Sequence, residues 1–181
     1  MKRCHWVNMN NPLYVTYHDT DWGIPKHDDR DLFELLALEC FQAGLSWECV
    51  LNKRKAFKRA FDNFNVDMVA DYDDNKCLTL SKNPNIIRHS GKIKATVINA
   101  RIIQQIQQEW TSFDAYIWHF TNKNVIYESY NTRTTSPLSD TISKDLKKRG
   151  MKFVGSITIY AYLQAIGIIN GHGTECDAFN K

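Results

Sequence analysis

Apolar residues recur along this chain at intervals of three and four, the spacing of one face of an α-helix. Between 29 and 40, Leu32, Leu35, Leu36 and Glu39 share a face, with Phe33 alongside. Ser46 offers an N-cap, and Trp47, Val50, Leu51, Phe57 and Phe61 follow it on one stripe. From Lys92 to Gln108, Ile93, Val97, Ala100, Ile103 and Ile106 repeat the period, and Asp114–Phe120 reads as a shorter aromatic helix. Ser139 can cap a helix over Asp140–Lys148 that carries Ile142 and Leu146; a last one begins near Ser156 and stops at Gly167. Val125–Tyr130 is rich in β-formers, but no run alternates as a strand should. The reading is all-α. Residues 121–138, with Asn122, Asn124, Asn131 and Pro137, form the most irregular connection, a candidate divider between two helical lobes.

The last two helices enclose Arg149-Gly150-Met151-Lys152-Phe153-Val154-Gly155. Glycines at both ends allow close backbone approach, so amides of the loop and the helix start at Gly155–Ser156 can face a phosphate. Lys144, Lys147, Lys148, Arg149 and Lys152 add mobile positive charge. Such a loop reads no base edge, so it predicts sequence-independent backbone binding. A solvated basic turn is the plain alternative.

The chain has 181 residues, 43% hydrophobic and 24% charged, with a net charge of +3. That is enough chain for a sizeable core, and too little charge to announce a nucleic-acid partner by itself. No apolar run approaches the ~20 residues of a membrane span, and the start lacks a long apolar leader, which predicts a cytosolic protein without membrane attachment. Five cysteines is an odd number. In a reducing compartment they read as buried thiols or metal ligands, not disulfides; Cys40, Cys49 and Cys77 read as core thiols.

Cys4 and His18 near one end, and His172 and Cys176 near the other, make a four-ligand set. H-x3-C spacing lets His172 and Cys176 reach one ion across a turn. Two thiolates and two imidazoles suit a closed tetrahedral Zn2+ that leaves no open position for water and ties the chain ends together. Spacing alone also fits ordinary buried side chains, and His5 is a competing ligand. A second group is aromatic: Trp6, Tyr14, Tyr17 and Trp22 lie close in sequence, and "ECFQAGLSW" places Glu39 at one helix end and Trp47 at the next helix start. Rings around one carboxylate suit a flat, partly cationic ligand. An aromatic core with Glu39 exposed on its rim is equally compatible.

Taken together, "RCHWV", "NPLYVTYHDTDWGIP", "LFELLALECFQAGLSWECVLNKR", "NIIRHSGKIKATVINA", "LKKRGMKFVG" and the terminal Cys176 resemble the 3-methyladenine DNA glycosylase I family, zinc-containing helix-hairpin-helix enzymes. The resemblance covers nearly the whole chain. It implies one glycosylase domain over 1–181, with the hairpin at about 140–167. It implies zinc on Cys4, His18, His172 and Cys176, and a base pocket of Trp6, Tyr14, Tyr17, Glu39 and Trp47, with Glu39 the catalytic acid. It further implies a phosphate clamp around Gly150, Lys152, Gly155 and Ser156, and contact with alkylated duplex DNA from Gln42, Gly44 and Leu45, Leu45 being the wedge. The implied reaction is hydrolysis of the N-glycosidic bond of 3-methyladenine by a monomeric, monofunctional enzyme. Where many hairpin glycosylases carry an aspartate, this chain has Ile169-Asn170-Gly171-His172, and an amide cannot act as a carboxylate; the burden falls on Glu39 or on the substrate. The competing readings are a lesion-binding protein without excision and a zinc hydrolase of small molecules.

Overall fold

A computed structural model describes residues 1–128 and 133–179; Asn131 and the end of the Val125–Tyr130 run fall outside them. The chain is mostly helical: α1 (Pro12–Thr20), α2 (Asp29–Gln42), α3 (Trp47–Leu51), α4 (Arg54–Ala60), α5 (Val66–Ala70), α6 (Asp74–Lys82), α7 (Ser90–Trp110), α8 (Phe113–His119), α9 (Pro137–Lys148) and α10 (Ser156–Ala165). Two short strands, β1 (Ile126–Tyr127) and β2 (Ile169–Asn170), pair in parallel, Ile126 opposite Ile169. Two residues are too few for an alternation to show in sequence.

Local chemistry explains most boundaries. Asp28 caps α2 by accepting from the amides of Arg30 and Asp31 at 3.0 and 3.1 Å. Ser46 caps α3 through the Cys49 amide at 3.2 Å. The stripe from Trp47 to Phe61 is divided in two, because the chain turns at Asn52–Lys53; the break leaves Val50, Leu51, Phe57 and Phe61 all buried. Ser139 is not the cap of α9. Pro137 occupies the first helical turn, where its fixed φ is preorganised and its missing N–H is no loss. Ser136 therefore caps, accepting from the Ser139 amide at 3.1 Å, while Ser139 Oγ accepts from the Ser136 amide at 2.8 Å. The end of the irregular connection thus belongs to a helix. Gly167 stops α10 as expected. Its φ is +77°, and a Cβ there would sit 2.4 Å from the Ile24 carbonyl carbon and Pro25 nitrogen, so only glycine fits.

The core forms around α2, whose residues from Leu32 to Phe41 are all buried. It packs against α10, α3, α7 and α8, and α10 in turn packs on α9. Among the described residues, no helix is long and apolar enough to cross a membrane.

Candidate active site

A helix buried on every side must account for its polar residues, and α2 has two buried acids. Glu34 accepts from Arg54 at 2.6 Å and lies 2.9 Å from Lys58, so its charge is balanced. Glu39 is 4% exposed, and its Oε2 has no hydrogen-bond partner among the described residues. The rim position is therefore overturned. Burial alone raises the Glu39 pKa to about 8.

Glu39 lines a cavity of about 320 Å³ together with Trp6, Tyr14, Tyr17, Gln42 and Trp47, a size suited to a small ligand. The rings are ordered by one another: Tyr17 and Trp47 stand 5.1 Å apart, Trp6 and Tyr14 5.5 Å, Trp6 and Trp22 4.8 Å. Trp47 Nε1 is also buried and unpartnered among the described residues. Burial, reinforced by Glu39, raises the pKa of Tyr17 well above the usual phenol range; burial, then Glu48 and Glu39, raises Tyr14 as well. Both phenols stay protonated and can donate. The cavity therefore presents ring faces, neutral donors and a buried acid with an unmet oxygen, which fits a flat cation carrying hydrogen-bonding edges.

Behind the aromatic wall, Cys4, His18, His172 and Cys176 are all buried and place their ligand atoms within 4.8 Å of one another. Cys4 Sγ lies 3.6 Å from His172 Nδ1, and Cys176 Sγ lies 3.5 Å from the same nitrogen and 3.4 Å from His18 Nε2. With zinc–ligand distances of about 2.3 Å for sulfur and about 2.0–2.1 Å for nitrogen, a tetrahedron has S···N edges of about 3.6 Å, so the cluster has the dimensions of a bound ion. The far nitrogens agree. His18 Nδ1 meets Asp19 Oδ1 at 2.8 Å and His172 Nε2 meets the Trp22 carbonyl at 3.3 Å; each acceptor draws the ring proton outward and leaves a lone pair facing the cluster. Arg3, bonded to Asp19 at 2.7 and 2.8 Å, is the main cause holding that carboxylate down at about 2. The cluster can hold a metal. His5 is exposed and takes no part in it. His18 and His172 also touch the cavity wall, at 5.3 Å from Trp6 and 4.6 Å from Trp22.

The sequence matches the methyladenine glycosylase family over residues 6–180. This chain belongs to that family. DNA-3-methyladenine glycosylase 1 of Escherichia coli (strain K12) is 41% identical over 180 residues, covering 97% of this chain and 96% of the relative. DNA-3-methyladenine glycosylase of Haemophilus influenzae is 36% identical, with 96% of each chain covered. A solved Phe-for-Tyr variant of 3-methyladenine DNA glycosylase I in complex with 3-methyladenine superposes with a TM-score of 0.95 at 34% identity, covering 100% of this chain and 99% of that one.

The remaining predicted residues fall into two segments, each partly exposed. Gln42 ends α2 and lines the cavity; Gly44 takes a φ of +82°, and Leu45 beside it is 43% exposed. Gly150 (φ +101°), Lys152 and Gly155 lie in the α9–α10 loop, with Lys152 exposed, and Ser156 is the first residue of α10. Ser156 Oγ lies 2.8 Å from Ser139 Oγ, tying the start of α10 to that of α9. Arg149 is not mobile charge: it bonds Asp145 at 2.9 Å and Glu109 at 2.8 Å and lies over the Tyr116 ring. Sequence reasoning did not place Glu128, Arg133, Thr134, Tyr160 and Gln164 in the cavity lining. Tyr160 donates to Glu128 at 2.6 Å. The partners are 32 residues apart, and no local pattern marks the pair.

Proposed function

We propose that this chain is a cytosolic DNA-3-methyladenine glycosylase that acts as a monomer on alkylated duplex DNA, hydrolysing the N-glycosidic bond and leaving an abasic site. One observation carries the reading: on a single buried helix Glu34 is neutralised by Arg54 and Lys58, whereas Glu39 faces an aromatic cavity with its Oε2 unpartnered among the described residues.

N3-methylation makes adenine cationic and weakens its bond to C1′, so binding the flipped base supplies much of what catalysis needs. Trp6 and Trp47 flank the ring. Glu39 accepts from the N6 amino edge and balances the purine charge, and Tyr14 and Tyr17 complete the lining as donors. Heterolysis sends the bonding electron pair to the purine. Water then adds to the oxocarbenium-like C1′ and loses a proton to solvent. Among the described residues no lysine lines the cavity to act as a nucleophile, so the strand stays intact. The α9–α10 loop, read as a helix-hairpin-helix, grips phosphates through Gly150, Lys152, Gly155 and Ser156, while Leu45 fills the gap left by the flipped base and Gln42 and Gly44 contact the strand beside it. Cys4, His18, His172 and Cys176 would hold Zn2+, which supplies no reactive position and cross-links the chain ends behind Trp6 and Trp22.

The test is to incubate methylated duplex with the protein and separate released bases by chromatography. Free 3-methyladenine with abasic sites and unbroken strands is the expected result. Lesion binding without release would convert the reading to a non-excising binder.

A further inference from the structure

The longest helix, α7, buries three polar residues that have no place in the cavity; Thr96 donates to the Lys92 carbonyl of its own helix at 2.9 Å, and the other two reach outside it. Lys92 is 5% exposed and Asn99 is 2% exposed. They lie two turns apart, so they share a face and stand about 10 Å from each other along the axis. Lys92 Nζ donates to the carbonyls of Phe41 at 2.8 Å and Ala43 at 2.5 Å. Asn99 brackets one residue of the α9–α10 loop: Oδ1 accepts from the Lys152 amide at 2.8 Å, and Nδ2 donates to the Lys152 carbonyl at 3.0 Å. The Cys40 thiol, from α2, reaches the neighbouring Phe153 carbonyl at 3.5 Å.

A buried ammonium is an expensive way to finish a helix. The end of α2 already has the usual device, a glycine at positive φ in Gly44. What Lys92 adds is a hold on Ala43, two residues before Leu45, an apolar side chain that is 43% exposed. Asn99 does the same for the backbone of the loop that bears Lys152. Lys92 and Asn99 thus converge on the two segments that the proposed function brings to DNA. Two contacts held at a fixed separation bind one duplex jointly, with the second engaging at high effective concentration.

We propose that Lys92 and Asn99 are positioning residues for excision from duplex DNA: α7 sets the separation between the Ala43–Leu45 turn and the Lys152–Gly155 loop so that both engage the same duplex. The proposal rests on the function proposed above.

The test uses the full chain and three readouts: 3-methyladenine release from methylated duplex, quenching of tryptophan fluorescence by free 3-methyladenine, and the thermal midpoint. Lys92→Met keeps the aliphatic stem. Asn99→Asp keeps the shape and the acceptor but sets an oxygen against the Lys152 carbonyl. In the folded variants, kcat/KM on duplex falls at least about tenfold while free-base affinity stays within about twofold. Both losses fall chiefly on KM, and the double variant loses no more than the worse single. Unchanged duplex kinetics overturn the proposal. So does a parallel fall in free-base affinity, the mark of a structural role, and so do fully additive losses, the mark of two independent supports. Lys92→Gln replaces Lys92→Met under the same criteria if the latter does not fold. If the wild-type chain releases no base, it is the excision reading that fails; duplex affinity by fluorescence anisotropy then decides the α7 proposal, with a weakening of at least about tenfold expected for both variants and unchanged affinity against it.

Discussion

Glu39 Oε2 and Trp47 Nε1 line one cavity, both are buried, and neither has a hydrogen-bond partner among the described residues. An unmet acceptor and an unmet donor in one cavity each hold an unfavourable desolvation of roughly 1–3 kcal/mol. A bound purine with an amino group and a ring nitrogen relieves both. The site is thus prepared for a ligand whose edge both donates and accepts.

Glu39→Gln keeps the shape and removes the carboxylate. Excision of 3-methyladenine falls by at least about 100-fold while duplex affinity changes less than about threefold, since phosphate contacts dominate that affinity. Chromatography of released bases and anisotropy of labelled duplex read the two quantities. Turnover equal to wild type rules the role out.

The pH dependence follows from the Glu39 pKa, pushed by burial from an ordinary value of 4.5 to about 8. Between those values the folded chain retains a proton that the unfolded chain has released. Stability therefore declines as pH rises from about 4.5 to about 8, by at most about 1.4 kcal/mol per pH unit, and this group adds no further slope above that window. Glu39→Gln flattens the decline, which urea titrations from about pH 5 to about pH 9 measure. A carboxylate, not the acid, balances a purine cation, so wild-type kcat/KM on duplex rises through the same window.

Removing metal from the Cys4–His18–His172–Cys176 cluster loosens both chain ends. A chelator that strips the ion, checked by elemental analysis, lowers the thermal midpoint by more than about 5 °C. Because His18 and His172 rest against Trp6 and Trp22, affinity for free 3-methyladenine falls with it. A midpoint unmoved after verified loss excludes a structural ion.

Lys152→Ala removes one exposed cation from the α9–α10 loop. Duplex binding weakens, and the slope of log affinity against log salt becomes shallower by about 1. Free-base binding, read by tryptophan quenching, does not change. An unaltered salt slope means that Lys152 touches no phosphate.

Helical period, the Ser46 cap, the Gly167 stop and the residue types suited to a metal and an aromatic pocket are legible along the chain, because each depends on neighbours within about four positions. Ser139 looks like a cap and is not one for an equally local reason: Pro137 sets the helix start earlier, and Ser136 takes the cap. Other features depend on residues brought together from afar. Glu34 and Glu39 look alike on one helix, yet Arg54 and Lys58 pair with Glu34, while Glu39 Oε2 is unmet among the described residues. Lys92 reads as one more helical lysine until Phe41 and Ala43 are placed over it. Cys4 and Cys176, at opposite ends of the chain, share a centre only when folded. Periodicity is a property of backbone geometry and survives in one dimension; burial, charge balance and coordination belong to pairs of surfaces, and only packing of the helices decides which surfaces meet.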